Sequence, residues 1–316
     1  MQTLNLASER VLVTGSGGVL GTALLAELRL SGCGEVAAPH RRDCDLLDEA
    51  ATLALWRDYR PTIVFHLAGW VAGVQGNLNN AGRAFYENSR INLNVIEASR
   101  LAGVRKIVAA GTTAVYSDAA PLPMREDDVW IGAPHGSEAS YAHAKRAMLA
   151  HLQAYKTQYG LDFAYMICTN LYGENDRFDE AHGHVVPSLI SRFERVGREG
   201  ADHIVIWGDG SPTRDFLYAR DAARAFLFAA AEGATGAFNT ATGEAMTIRQ
   251  LVETLADISQ YQGEVRWDTT KPLGQSRRSY DVTRLKGLGW RPEVTLREGL
   301  GRTASWYRAN LEAVRR

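Results

Sequence analysis

Three polar side chains have the residue types that are needed to reduce a carbonyl group. Tyr141 and Lys145 lie four residues apart in "SYAHAKRAMLAHLQAY", so on a helix they share one face. A tyrosine has a pKa of about 10, and a neighbouring ammonium group lowers it by favouring the phenolate. Thr112 ends an apolar stretch, and its hydroxyl can hydrogen-bond the same substrate oxygen. The pattern predicts that Tyr141 donates a proton to a carbonyl that receives hydride.

A glycine-rich turn predicts a second function, the binding of a dinucleotide. Gly15, Gly18 and Gly21 form a G-x-x-G-x-x-G pattern in "VLVTGSGGVLG", between a predicted strand and a predicted helix. Glycine lets the backbone approach a pyrophosphate, and free N–H groups at the helix N-terminus bind it. Val19 and Leu20 open this helix and are predicted cofactor contacts.

The residues after the second predicted strand indicate which dinucleotide is bound. Folds that prefer NAD place an acidic residue there for the ribose diol, whereas this chain reads "PHRRD", with Arg41 and Arg42. Guanidinium groups suit a 2′-phosphate, so we predict NADP(H), and a solvated basic turn is the alternative. The remaining predicted contacts are Asp45 and Leu46 beside the adenine, and Leu67 and Ala68 of "HLAG" beside the ribose.

The elements that position these residues follow from an alternation of short apolar and longer amphipathic segments. The apolar stretches are 11–14, 63–67, 107–110 and 163–167, and the helical patterns cover 19–30, 85–101 and 141–159. This alternation predicts an α/β fold, a Rossmann doubly wound parallel sheet with a smaller C-terminal α/β substrate domain. Ligands bind at the carboxyl ends of parallel strands, so the glycine turn and Thr112 should lie at one edge.

The alternation loosens after Asn170, which suggests two unequal domains. We predict a dinucleotide-binding domain formed by residues 1–170 plus 213–240. The remaining residues, 171–212 plus 241–316, are predicted to bind the substrate. A predicted strand at 203–207 and another at 264–267 belong to this smaller part.

Composition excludes several classes of protein. The 316 residues are 46% hydrophobic and carry a net charge of −1, which gives no reason to expect nucleic acid or membrane surfaces as partners. The three cysteines form no CxxC pair, the N-terminus has no signal pattern, and no apolar segment is long enough to span a membrane. We therefore predict a cytoplasmic protein. His182 and His184 are interpreted as part of a polar loop, and no metal site is predicted.

These motifs together resemble the extended short-chain dehydrogenase/reductases, the NAD-dependent epimerase/dehydratase family. The likeness is carried by the glycine turn, "GTTAVY", the Tyr141/Lys145 pair and "TNLYG". Within the family the chain is most similar to GDP-fucose synthases, through "HVVPSLISRF", "VIWGDGSPTRDFL" and "YDVTRLKGLGW". The resemblance implies a Thr112/Tyr141/Lys145 triad, NADPH, a GDP-linked 4-keto sugar and a homodimer that pairs through the helices near 85–101 and 142–158. It also implies a cofactor contact at His184 and substrate contacts at Thr113, Asn170, Val185, Arg192, Trp207, Arg214 and Arg278.

Ala114 departs from the pattern of the GDP-fucose synthases. Those enzymes epimerise beside the ketone with a cysteine and a histidine and then reduce it. The cysteine falls at Ala114, and the histidine matches His184. Alanine cannot move a proton, so we predict reduction of the C4 ketone of a 4-keto-6-deoxy hexose or heptose without epimerisation at C3 and C5.

Two alternatives remain open from the sequence. An NAD-dependent C4-epimerase of nucleotide sugars would use the same triad and keep its cofactor through turnover. A catalytically silent NAD(P)-binding regulator is the second alternative, and the intact Tyr141/Lys145 pair argues against it.

Overall fold

The computed structural model describes residues 5–71, 73–180, 183–270 and 277–314. Its largest feature is a parallel sheet of six strands in the order β10-β5-β4-β3-β1-β2. These strands are β1 (Arg10–Thr14), β2 (Glu35–Ala37), β3 (Ile63–His66), β4 (Lys106–Thr112), β5 (Asp162–Cys168) and β10 (Gly236–Thr240).

Helices cover both faces of this sheet. One face is packed by α2 (Glu49–Tyr59), α4 (Ala81–Leu101) and α5 (Ala139–Tyr159), and the other by α1 (Val19–Leu30) and α7 (Ala219–Ala231), while the short α3 (Val74–Asn79) precedes α4. Successive side chains of a strand point to opposite faces. Leu12 accordingly packs with the α4 and α5 side, whereas Val11 and Val13 pack with the α1 and α7 side. The predicted doubly wound α/β fold and the predicted helix at 19–30 are confirmed.

A smaller core lies outside the six-stranded sheet. It is built on a parallel pair of strands, β7 (His203–Trp207) and β12 (Glu264–Asp268), covered by α6 (Val185–Glu199), α8 (Ile248–Ile258) and α10 (Leu296–Ala309). The other short elements are β6 (Asn170–Tyr172), β8 (Thr213–Arg214), β9 (Phe216–Tyr218), β11 (Met246–Thr247) and α9 (Thr283–Gly287).

The chain crosses between the two cores at short strand pairs. Strand β6 pairs with β9, and β8 pairs with β11. Tyr280 and Val282 pack in the α4 and α5 side of the large core, and Leu285 packs in its α1 and α7 side. The tail therefore contributes to the large core as well as the small one, and the domain boundaries at 170, 212 and 240 stay a prediction.

The parallel register brings the ends of distant strands to one edge. Thr14 at the end of β1 is the partner of His66 at the end of β3, and Thr112 is the partner of Cys168 across β4 and β5. The carboxyl edge of the sheet is therefore lined by polar groups that the sequence separates by tens of residues.

Candidate active site

The glycine turn at this edge is packed too closely for side chains. Gly15 has a φ of +70°, and a Cβ there would lie 2.6 Å from the backbone nitrogen of Ala68. A Cβ on Gly21 would lie 2.7 Å from the backbone carbon of Ser16. The turn can thus approach the loop after β3 only because position 15 is glycine, and α1 can pack against the turn only because position 21 is glycine. Gly18 precedes the first residue of α1, so the free N–H groups of Val19, Leu20 and the next residue open at the turn.

A buried chain of hydrogen bonds connects this turn to α5, the helix that carries Tyr141 and Lys145. The Thr14 hydroxyl oxygen accepts the N–H groups of Leu67 and Ala68, both at 3.2 Å, and lies 2.9 Å from His66 Nδ1. His66 Nε2 lies 3.0 Å from the Asn92 side-chain oxygen. Asn92 Nδ2 in turn donates to the carbonyl of Ala144, the residue before Lys145, at 3.4 Å.

The directions of these bonds fix the state of His66. The Thr14 oxygen already accepts two N–H groups, so its own proton points to His66 Nδ1, and Nε2–H donates to Asn92. Burial, and secondly the charge of Lys145, lower the pKa of His66 to about 3. His66 is therefore neutral at physiological pH and ties β1, β3 and α4 together at the cofactor edge. Sequence reasoning missed this role, although "HLAG" contains the residue.

The residues predicted for the adenine end lie at the surface after β2. Arg41 pairs with Asp45 through Nη2 and Oδ2 at 3.2 Å, and 65% of its side chain is exposed. Asp45 also accepts the N–H of Leu47 at 3.1 Å. Leu46 packs against the large core. The guanidinium group is thus held near the end of β2 by a carboxylate and remains accessible to an anionic ligand.

The three predicted catalytic residues come together at the end of β4. The Thr112 hydroxyl lies near the Tyr141 phenol and lowers its pKa. Lys145 is 2% exposed, and its Nζ donates to the carbonyl of Ala110 at 2.9 Å. The same Nζ lies 5.9 Å from the centre of the Tyr141 ring. The phenol and the ammonium therefore share one face of α5, as their spacing predicts.

The expected direction of the Tyr141 pKa is wrong for this structure. Burial raises the pKa of Tyr141 above its ordinary value, the charge of Glu138 adds to the rise, and the nearby Thr112 hydroxyl only partly opposes it. Burial also lowers the pKa of Lys145 to about 8. Desolvation is the largest cause for both groups, and the Lys145 ammonium donates to the Ala110 carbonyl rather than to the phenol oxygen.

Cys168 is a neighbour of the triad that the sequence did not reveal. It is 7% exposed and sits opposite Thr112 in the register of β4 and β5. It lies close enough to Tyr141 and Lys145 to influence the pKa of both, and burial raises the pKa of its own thiol to about 12. The thiol is therefore protonated at neutral pH. The position of Cys168 just before "TNLYG" could have predicted this contact, because it places Cys168 at the end of β5, next to the end of β4.

Two predicted substrate residues from the second half of the chain lie beside the triad. Arg214 interacts electrostatically with Arg278, Tyr280 and Glu138, and Glu138 also influences Tyr141. Burial lowers the pKa of Arg214, which nonetheless remains a cation at neutral pH. A guanidinium group such as that of Arg214 suits a substrate that carries a diphosphate.

Arg278 and Thr113 are already engaged with the protein. Arg278 Nη1 donates to the carbonyl oxygens of Thr113 at 3.3 Å and Tyr116 at 3.4 Å. The side chain of Thr113 lies near Tyr280 and lowers the pKa of its phenol. These contacts give Arg278 a role in holding the loop, beyond the substrate contact that was predicted.

The remaining predicted substrate residues are distributed over the smaller core and its connection. Asn170 Nδ2 donates to the carbonyl of Asp215 at 3.0 Å, which fixes Asn170 next to Arg214. Arg192 donates to the carbonyl of Val205, and Trp207 at the end of the same strand is 66% exposed. His184 and Val185 stand at the start of α6, with His184 exposed. His182 lies outside the described residues.

The model of the NAD dependent epimerase/dehydratase family matches residues 11–241 of this chain. The chain belongs to this family. The family match covers the glycine turn, the Thr112/Tyr141/Lys145 cluster and Arg214, so the described geometry lies inside it.

Individual members of the family are similar over almost their whole length. GDP-L-fucose synthase 1 of Arabidopsis thaliana is 33% identical over 96% of this chain and 94% of its own. GDP-L-colitose synthase of Yersinia pseudotuberculosis is 30% identical over 94% of this chain and 97% of its own. A GDP-L-fucose synthetase of Naegleria fowleri, solved bound to NADP, superposes with a TM-score of 0.92 at 28% identity, covering 100% of this chain and 99% of that one.

Two further properties of the described residues bear on partners. No helix among residues 5–71, 73–180, 183–270 and 277–314 has the length and apolar character to cross a membrane. Within the same ranges, no three His, Cys, Asp or Glu side chains cluster closely enough to hold a metal ion.

Proposed function

We propose that this protein is an NADP(H)-dependent reductase of the C4 ketone of a GDP-linked 4-keto-6-deoxy sugar, and that it leaves C3 and C5 unchanged. The observation that carries the proposal is the grouping of Thr112, Tyr141 and the Lys145 ammonium at the end of β4, with an alanine at position 114. The names of the similar proteins, GDP-L-fucose synthase and GDP-L-colitose synthase, support a GDP-linked sugar as substrate.

The residues at the edge of the sheet fit a dinucleotide. The backbone of the turn between Gly15 and Gly18 is open, since a Cβ on Gly18 would meet only the Gly15 oxygen, at 3.5 Å. Pyrophosphate would bind there at the N-terminus of α1, and the 2′-phosphate beside Arg41. The NADP in the Naegleria fowleri relative supports this cofactor. When bound, it supplies a hydride.

The chain's own residues carry out the proton transfer. Arg214 binds the diphosphate and orients the sugar so that its C4 carbonyl oxygen lies at Thr112 and Tyr141. The Tyr141 phenol, kept protonated by its raised pKa, gives its proton to that oxygen as negative charge develops there. The Lys145 ammonium stabilises the phenolate that remains. The hydroxyl of Thr112 holds the carbonyl oxygen in line with the phenol.

Oxidation of NADPH, measured at 340 nm with a panel of GDP-linked and UDP-linked 4-keto sugars, tests this function. We expect stoichiometric oxidation with a GDP-linked 4-keto-6-deoxy sugar and a product reduced at C4. Isomerisation of a nucleotide sugar with no consumption of added NADPH would instead identify a C4-epimerase. Absence of turnover with every sugar, combined with tight NADPH binding, would identify a regulator.

Replacement of Arg41 by alanine should impair the use of NADPH selectively. The guanidinium group is proposed to pair with the 2′-phosphate, which NADH lacks, so the KM for NADPH should rise about tenfold or more and that for NADH should stay unchanged. Steady-state kinetics with both cofactors measure the difference. Arg57→Ala is the matched control, because Arg57 is an exposed arginine on α2 that pairs only with Asp58. Equal losses for both cofactors would contradict the assignment.

We also propose a homodimer that pairs through α4 and α5. The supporting observation is that α4 exposes Phe85 (47%), Tyr86 (65%) and Leu93 (51%). Light scattering at micromolar concentration should give twice the chain mass of 34.7 kDa. Leu93→Glu should give the mass of one chain, whereas Leu30→Glu on α1, where the leucine is 71% exposed, should remain dimeric. A wild-type protein with the mass of one chain would refute the dimer.

A further inference from the structure

Two buried arginines hold the loop that follows Thr112. The first, Arg146, comes directly after Lys145 on α5 and is 8% exposed. Its Nε donates to the carbonyl of Val115 at 2.8 Å, its Nη1 to that of Gly132 at 2.7 Å, and its Nη2 to that of Ile131 at 3.4 Å. The guanidinium thus connects the loop after β4 to a second loop.

The second arginine, Arg278, approaches the same loop from the C-terminal tail. It is 3% exposed, and its Nη1 donates to the carbonyls of Thr113 and Tyr116 at 3.3 and 3.4 Å. Its Nη2 lies 3.3 Å from a carboxylate oxygen of Asp118. Two of the three Arg146 bonds, at 2.7 and 2.8 Å, are shorter than these three bonds of Arg278.

A lysine could not replace either group. A guanidinium is planar and presents several N–H groups in a fixed fork, so one side chain can reach carbonyls on two loops, whereas an ammonium is a point charge. Removing a guanidinium from so buried a place would also leave its carbonyl partners unsatisfied.

The loop that they hold positions the hydroxyl of Thr112. Ala114 N–H donates to the Thr112 oxygen at 3.2 Å, and Tyr116 N–H donates to the carbonyl of Thr113 at 3.2 Å. The carbonyls of residues 113, 115 and 116 all accept from the two arginines. The backbone on which the Thr112 hydroxyl depends is therefore fixed from α5 on one side and from the tail on the other.

We propose that Arg146 and Arg278 are positioning residues that hold the Thr112 hydroxyl near the Tyr141 phenol. Residues 113–116 position Thr112, and α5 carries both Tyr141 and Arg146. The bonds of Arg146 therefore fix the distance between the two parts of the site. The inference rests on the proposed reductase function for its effect on catalysis, although the anchoring of the loop does not depend on it.

The test compares Arg146→Lys and Arg278→Lys with Lys106→Met. Lys106 is a 2% exposed cation at the opposite end of β4, where it bonds to Asp162 and Ala234, so its loss lowers stability without touching the loop. We expect kcat to fall about tenfold to a hundredfold in Arg146→Lys and less in Arg278→Lys, with the KM for NADPH unchanged. Lys106→Met should keep the wild-type kcat at a temperature where all variants are folded.

Amide hydrogen exchange measured by mass spectrometry provides a readout that does not require turnover. Exchange in a peptide covering residues 113–116 should be faster in both arginine variants and unchanged in Lys106→Met. Unchanged exchange and unchanged kcat in the arginine variants would overturn the proposal. A wild-type protein that reduces no 4-keto sugar would refute the proposed function alone, because faster exchange in the arginine variants would still establish the anchoring.

Discussion

Replacement of Tyr141 by phenylalanine should lower kcat by about a hundredfold or more, with NADPH binding retained. The substitution removes only the phenol oxygen, which lies near Thr112 and is proposed to donate the proton to the sugar. The ring and its packing beside Lys145 stay in place. The measurement is kcat with saturating NADPH and 4-keto sugar at pH 7, where a Lys145 pKa of about 8 leaves most of the ammonium protonated.

The matched control is Tyr159→Phe. Tyr159 lies at the last turn of the same helix, is 47% exposed and stacks with Arg100 rather than with any residue of the site. Its loss of a hydroxyl should leave kcat at the wild-type value. Turnover near wild type in Tyr141→Phe would show that another group donates the proton, and the triad would then be wrong.

The elements and the residue types of the site could be predicted from the sequence because both leave local signals. The helix from Val19 to Leu30 follows from its apolar spacing and the glycine turn before it. Tyr141 and Lys145 share a helix face whatever the tertiary structure is, since their spacing is close to one turn. Thr112 could be placed at the carboxyl edge because a parallel strand that ends in a polar residue must present it there.

The contacts of Cys168 and Arg278 and the pKa of Tyr141 depend on strand register and on burial, which the sequence does not display. Cys168 becomes a neighbour of Thr112 only through the pairing of β4 with β5. Arg278 reaches Thr113 from a tail that lies 165 positions further along the chain. The pKa of Tyr141 is raised rather than lowered because the site is desolvated, and a Tyr-x-x-x-Lys pattern has no information about the depth at which it is buried.

The substitution at Ala114 predicts the isotopic composition of the product. When the reaction runs in deuterated water, the sugar should be reduced at C4 and contain no deuterium at C3 or C5. Epimerisation requires removal of a proton on one side of a carbon and delivery on the other, and alanine has no group that can do either. The Tyr141 proton goes to oxygen and exchanges with solvent, so it does not affect the result. Mass spectrometry and NMR of the product measure the incorporation.

Two residues could in principle supply an exchangeable proton in place of the missing thiol. His184, at the start of α6, can remove and return a proton on one face, which would give slow incorporation at one carbon without inversion. Cys168 carries a thiol beside the triad, but its pKa of about 12 leaves almost no thiolate at neutral pH. Neither residue should therefore invert C3 or C5, and Cys168→Ser should leave the isotopic composition of the product unchanged.

Introducing the thiol tests the same inference in the opposite direction. Ala114 is 8% exposed, and its N–H bonds to the Thr112 hydroxyl, so a thiol in Ala114→Cys would lie next to the group that holds the carbonyl. A thiol has a pKa of about 8.5 when unperturbed, so it can exchange protons at carbons made acidic by the adjacent ketone. We expect deuterium at C3 or C5 in this variant and none in Ala114→Ser, which adds a hydroxyl of similar size. Rapid incorporation with an inverted product in the wild type would contradict the proposed function, and its loss in Cys168→Ser would identify Cys168 as the replacement acid or base.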